Sequence, residues 1–178
     1  MAGYIALLRG INVGANRKVP MSDLRALFET LGHADVRTYI QSGNVAFTAK
    51  AGTPARVRSA IEAALAKEFG FEVTVLLRTA AELTSVVKRN PYGEDAYVTF
   101  LDAPADAKKA KAIDASPFAP DVFVVSGREV FVRCPNGYGK TKINNMFFER
   151  KLATKATTRN WRTVTTLRDW ATGYPDYR

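Results

Sequence analysis

Residues 4–8, Tyr-Ile-Ala-Leu-Leu, form a compact apolar run that Arg9 and Gly10 end, which predicts a buried strand. A polar loop with two glycines follows as far as Arg17. From Pro20 the period changes: Met21, Leu24, Leu27, Phe28 and Leu31 share one helical face, and Gly32 stands where that helix should stop. Two β-rich segments, Tyr39-Ile40 and residues 45–47, flank Ser42-Gly43-Asn44 and predict a hairpin or one long bulged strand across residues 36–48. Thr53-Pro54 supplies an N-cap with proline at the first helical position, and Val57, Ile61 and Leu65 carry an apolar stripe up to Phe69-Gly70. Residues 71–77 read as another strand. The first half is therefore β-α-β-β-α-β, the order of a ferredoxin-like unit.

A connecting helix is expected over residues 79–91, opened by Thr79 and Glu82 as a capping box and closed by Asn90-Pro91. Tyr97-Val98-Thr99-Phe100-Leu101 then repeats the pattern of residues 4–8. A short alanine- and lysine-rich helix over residues 105–115 comes next, followed by strands over 122–125 and 129–133 flanking Ser126-Gly127. Residues 143–152 predict a helix with Ile143, Met146, Phe147 and Leu152 as its buried face. After it the repeat is expected to break down, because residues 154–162 stand where a last strand should lie, and a final helix covers about 164–171. The whole predicts an α+β protein of two ferredoxin-like (βαββαβ-type) subdomains, residues 1–78 and 92–153, joined by the 79–91 helix. A divergent helical C-terminal segment, residues 154–178, packs back on the body.

Composition narrows the chemistry. The chain has 178 residues, 47% of them hydrophobic, which suffices for a real core. Cys134 is the one cysteine and His33 the one histidine, so intramolecular disulfides, Cys/His zinc clusters and most histidine-based triads are excluded. Neither a metal site nor a cofactor is expected. No apolar run approaches the roughly 20 residues that span a bilayer, and residues 4–8 are too few for a signal-peptide core, so a cytoplasmic protein without membrane attachment is expected. Lysine and arginine total 26 against 17 acids, a formal charge of +9 that favours anionic partners. The excess is segregated: between Val130 and Arg168 nine basic residues meet one acid, Glu149, whereas residues 90–127 hold three lysines against six acids.

Three loops can carry a ligand. Residues 134–141, Cys-Pro-Asn-Gly-Tyr-Gly-Lys-Thr, lie between a predicted strand and a predicted helix. Gly139-Lys140-Thr141 matches the end of a Walker A motif, but Cys134 stands where its first glycine belongs and Pro135 has no N–H for a phosphate, so a P-loop is not expected. What remains is an anion nest of glycine backbone with Lys140, Thr141 and Lys142. Arg9 and Asn12 belong to a glycine-bearing loop that leaves a strand end, where Arg9 can fork onto a carboxylate or phosphate. Gln41, Ser42 and Asn44 offer neutral donors and acceptors. In the polar-aromatic stretch 157–163, Trp161 is suited either to stack on a base or to anchor the last helix, with Arg159, Asn160 and Arg162 around it. Acid-base machinery is sparse, Asp102 at a strand end being the one well-placed acid.

Four stretches carry a family resemblance: Ala6-Leu7-Leu8-Arg9-Gly10-Ile11-Asn12-Val13-Gly14, Lys18-Val19-Pro20-Met21, Tyr39-Ile40-Gln41-Ser42-Gly43-Asn44-Val45 and Thr158-Arg159-Asn160-Trp161-Arg162-Thr163-Val164. Together they closely resemble the bacterial family called domain of unknown function 1697. The resemblance implies an α+β structure of two ferredoxin-like subdomains in a cytoplasmic protein, and implies no established reaction or cofactor. Lys140-Thr141 stands where the family has a basic residue followed by serine, and Thr166 where it has lysine. The residues then favour a protein that binds a phosphate-bearing ligand, nucleic acid or nucleotide, through Arg9, Asn12, Lys140, Lys142, Arg159 and Arg162, with Trp161 available to stack. The alternatives are an enzyme acting on a small anionic substrate between the subdomains, oriented by Asn12, Gln41, Ser42, Asn44 and Asn160, and a basic module that meets an acidic protein.

Overall fold

A computed structural model describes residues 2–173 and gives an α+β chain, with two four-stranded antiparallel sheets and six helices among those residues. The chain divides into two compact units, Met1–Thr84 with Thr166–Arg178, and Ser85–Thr165. No helix among the described residues is long and apolar enough to cross a membrane.

The first unit runs β1 (Ala2–Leu8), α1 (Met21–Thr30), β2 (Ala34–Tyr39), β3 (Asn44–Ala49), α2 (Pro54–Phe69) and β4 (Val75–Arg78). Its strands lie in the order β2-β3-β1-β4. The apolar stripes of both helices, including Leu24, Phe28, Ile61 and Leu65, close over Tyr4, Ala6, Leu8, Val45 and Phe47, which alternate along β1 and β3 as one face of a sheet must. The Thr53 hydroxyl accepts the Arg56 N–H at 3.3 Å, and Gly70 ends α2 in the left-handed region at φ 77°. The hairpin reading of residues 36–48 holds, although Ile40 belongs to the turn: it is exposed, with φ 48°.

His33 follows α1 and sits in this core's edge, its ring 4.8 Å from Phe47 and 6.1 Å from Phe28. Its Nδ1 accepts a long bond of 3.4 Å from the Lys50 N–H, while Nε2 is buried and has no hydrogen-bond partner among the described residues. Burial lowers its pKa from the ordinary 6.5, so the fold holds the ring neutral. A folded pKa below the unfolded one means that acidification favours the unfolded chain, which binds the proton more readily. The stability that the neutral ring preserves is complete above pH ~6.5 and is lost progressively as pH falls from there through the lowered folded pKa. Urea unfolding is expected to show stability declining from pH 7 toward 5, and His33→Phe to flatten that decline. An unchanged pH profile in the variant would show that His33 is not its source.

Chain positions 80–89 form α3 (Ala80–Arg89), which spans the division between the units. Its expected capping box is present: the Thr79 N–H donates to Glu82 Oε2 at 2.7 Å and the Glu82 N–H to Thr79 Oγ1 at 3.2 Å. At its other end Arg89 meets the buried Glu129 carboxylate at 2.6 Å and donates to the Ser126 carbonyl and hydroxyl, fastening the helix end to a hairpin. The second unit continues with β5 (Ala96–Leu101), α4 (Ala107–Lys111), β6 (Val122–Ser126), β7 (Glu129–Arg133), α5 (Asn145–Leu152) and β8 (Ala156–Asn160), and α6 (Trp161–Ala171) crosses the division at Thr166. Its sheet order is β6-β7-β5-β8.

Three expectations are corrected here. Residues 154–162 do contain a strand: β8 pairs antiparallel with β5 from Leu101↔Ala156 to Tyr97↔Asn160. Four of its five members are polar, so no apolar alternation announces it, and Thr157 and Thr158 suit it only as β-branched residues beside a partner strand. The C-terminal segment is therefore not simply helical, and α6 starts at Trp161, because Asn160 Oδ1 accepts the Thr163 N–H at 2.9 Å. Asn144 caps α5 through the Phe147 N–H, so that helix begins after Ile143; Met146 is 67% exposed and Phe148 fills the core place expected of it. Asp106 caps α4, which ends at Lys111, well short of residue 115.

Candidate functional site

At one end of the first sheet the loop after β1 and the turn between β2 and β3 come together, which gathers Asn12, Gln41, Ser42 and Asn44. The chemistry there is different from the one expected. The Asn12 amide donates to the Val19 carbonyl at 3.0 Å and to the Gln41 carbonyl at 2.7 Å, and its Oδ1 accepts the Val19 N–H at 2.8 Å. Asn44 is fully buried and donates to the Tyr39 carbonyl and to Ser42 Oγ, both at 2.9 Å. Gly43, at φ 81°, places its backbone so close that a Cβ would lie 2.7 Å from Ile11 Cδ1 and 2.8 Å from Leu8 Cβ. Arg17, which also has positive φ, ties the loop down by donating to the Gly10 and Glu72 carbonyls and lying over the Phe71 ring. Polar groups expected to face a ligand thus serve the backbone of a closed corner. Arg9 sits at the start of this loop, half-buried, with its N–H on the Thr74 carbonyl at 2.9 Å.

The second unit presents the opposite arrangement. After β7 the chain turns at Gly137, at φ 94°, into one short 3-10 turn, Tyr138–Lys140. The Tyr138 ring stacks on Tyr97 at 4.8 Å and its hydroxyl accepts the Asn145 N–H at 3.0 Å. Thr141 is buried: its hydroxyl donates to Asp121 at 2.7 Å and accepts the Ile143 N–H at 3.1 Å. Cys134 lies beneath, and burial pushes its thiol pKa up, which keeps it in the inert protonated form. Thr141 is extended, at φ −74° and ψ 145°, where the chain leaves the 3-10 turn. Lys140 and Lys142 flank it. Both are exposed, and both line a cleft of about 430 Å³ walled by residues 117–121, Asn136 and Gly137.

A second cleft of about 460 Å³ takes Lys142 and Phe118 as part of its wall and adds Arg150 and Lys151, whose charges stand 5.7 and 5.9 Å from the Phe147 ring centre. A third, of about 480 Å³, joins Asn160, Trp161 and Arg162 to Arg133, Tyr97, Glu94 and Asp95. Trp161 is half-buried there, between the two roles open to it. Arg159 is the exception in this stretch. It points inward from β8 at 6% exposure and donates to Thr157 Oγ1 and the Thr158 carbonyl. Burial lowers its pKa to about 10, which still leaves it charged at neutral pH. The expected phosphate contact by Arg159 is therefore replaced by a buried guanidinium. Thr166 is buried as well, so the departure from lysine falls inside α6.

Among the expected residues, Lys140 and Lys142 thus share one cleft, Asn160, Trp161 and Arg162 share another, and Thr141 braces the loop between. Arg133, Arg150, Lys151 and Phe118 line the clefts without having been singled out. Their signal was the segregated charge for the three cations; nothing in the local sequence marks Phe118.

A family described as "Protein of unknown function (DUF1697)" has a sequence model that matches residues 1–131. The chain belongs to that family. The DUF1697 match takes in the closed corner around Asn12 and Gly43 and ends before Cys134, so most of the basic loop and α5 lie beyond it. Among curated proteins none matches the chain. This DUF1697 protein is similar to a solved structure, that of a conserved bacterial protein from Streptococcus pneumoniae, with 23% identity and a TM-score of 0.74 over 97% of this chain and 99% of that one. At that identity the likeness concerns the fold.

Proposed function

We propose that this protein binds a phosphate-bearing ligand, nucleic acid or nucleotide, in the cleft between Lys140 and Lys142. The observation that carries this reading is one recess lined by both Lys140 and Lys142 beside Asn136 and Gly137. The acid lining that recess, Asp121, faces the Thr141 hydroxyl instead of the lysines. Two lysines lining one recess beside a glycine turn suit a phosphate's several oxygens better than a single carboxylate.

The test is fluorescence anisotropy with a labelled oligonucleotide, and competition by ATP, at ~50 mM salt. Wild-type protein is expected to bind at least one of the two. Lys140→Gln with Lys142→Gln should weaken binding roughly ten-fold, about 1.4 kcal/mol, with the gap closing as salt rises. Absence of binding by either probe at low salt, or equal binding by the double variant, would sink the reading.

We also read the two units as copies of one ferredoxin-like β-α-β-β-α-β unit. Equivalent strand orders support this, β2-β3-β1-β4 and β6-β7-β5-β8. So does repetition of particular bonds: Leu8 N–H to the Gly43 carbonyl answers Leu101 N–H to Arg128, and Arg9 N–H to Thr74 answers Asp102 N–H to Lys155. The buried arginines match too, Arg78 standing opposite Ile5 and Arg159 opposite Val98.

A further inference from the structure

We propose that the ligand of the second unit is a single-stranded nucleic acid that runs through all three clefts, a proposal that rests on the phosphate-binding reading above and extends it. The clefts share walls. Those of about 460 and 430 Å³ have Phe118 and Lys142 in common, and those of about 430 and 480 Å³ have Gly137 in common. The clefts are neighbours through these shared residues, and Lys151, Arg150, Lys142, Lys140, Arg133 and Arg162 are distributed among them. A mononucleotide fills one recess and leaves the cations of the other two unused. A chain of phosphates at regular intervals engages them in succession.

Stacking surfaces accompany the charge. Half-buried Phe118 stands at the first junction, held edge-on against Phe147 at 5.1 Å, and Tyr97 and Trp161 line the last cleft. Cations alternating with aromatic faces are the makings of a single-strand track, because every base has a stacking face and every linkage a charge. Recesses between loops admit bases that are splayed out; the paired bases of a duplex stay inside its own stack. Four acids line the track, and three of them have partners. Asp114 accepts from the Ser116 N–H and hydroxyl, Asp121 from Thr141, and Glu94 and Asp95 line the last cleft, Asp95 standing 3.9 Å from Arg133. With Arg133 paired to Asp95, Arg162 is the cation that the last cleft offers a phosphate.

Fluorescein-labelled oligothymidylates of about two, about six and about twelve nucleotides, titrated with the full chain at ~50 mM salt, separate the possibilities. Affinity is expected to climb at least about ten-fold from the shortest to the longest, with the salt slope growing by about 0.7 per phosphate engaged. Lys142→Gln, at the junction, should weaken every length. Arg150→Gln and Arg162→Gln, at opposite ends, should weaken only the longer ones, and a duplex of the same length should compete at least about ten-fold less well. Equal affinity for short and long oligomers, or end variants indistinguishable from wild type with the longest one, overturns the track while leaving a one-phosphate site standing. A duplex that competes as well as the single strand overturns the choice of ligand. Failure of every probe to bind overturns the phosphate reading and this one together.

Discussion

Gly43→Ala is expected to lower the free energy of urea unfolding by about 3 kcal/mol, with the midpoint moving and the slope unchanged. Two costs add. At φ 81° an alanine pays about 1 kcal/mol for the left-handed region. The new Cβ must also fit 2.7 Å from Ile11 Cδ1 and 2.8 Å from Leu8 Cβ. Ile11 can swing its terminal methyl away, but the Leu8 Cβ is fixed to β1, whose own N–H donates to the Gly43 carbonyl at 2.9 Å. Overpacking of this kind costs about 1–3 kcal/mol. Gly14→Ala is the control that isolates the contact: its φ is 73°, nothing lies within 4 Å of its Cβ, and about 1 kcal/mol is expected. Equal losses at the two glycines would show that the close approach costs nothing.

The second large effect is Asn12→Ala, at roughly 2–3 kcal/mol. The variant removes two donated bonds and one accepted bond, each worth about 1 kcal/mol, the one to Gln41 less because it is exposed. It also puts alanine at φ 55°, where asparagine is better tolerated. This result discriminates between two roles for Asn12. A residue that fixes the loop costs stability when removed and leaves oligonucleotide binding by the second unit intact. A residue that holds a ligand does the reverse. Unchanged unfolding with lost binding would return Asn12 to the ligand site.

Much of the fold can be read locally because its signals are made within one turn of chain. Thr53-Pro54 caps α2, and the Thr79–Glu82 pair closes a capping box whose two bonds join residues three apart. The stripes of α1 and α2 are a matter of period. The site was legible in part for a related reason. Charge segregation pointed to the stretch that carries Lys140, Lys142, Arg150 and Arg162, and charge is counted without knowing the fold. Which of these cations meets solvent is a different matter. Arg159 and Arg162 are three residues apart in the same basic stretch, yet one is buried in β8 and the other exposed on α6.

By itself the sequence determined the capped helices α2 and α3, the apolar strands, the β-α-β-β-α-β order of the first half and the region of positive charge. Each depends on residues adjacent in the chain or on a sum over it. Tertiary structure alone decided that polar residues 156–160 form a strand, since their partner is β5, about sixty positions earlier. It also decided that Asn12 and Asn44 serve the backbone, because the carbonyls they reach become neighbours only when loop and turn meet. And it decided which lysines share a recess, because residues 117–121 wall that recess and Asp121 holds the Thr141 hydroxyl, twenty positions away. Hydrogen bonds and pairings between distant segments leave no mark on either segment taken alone.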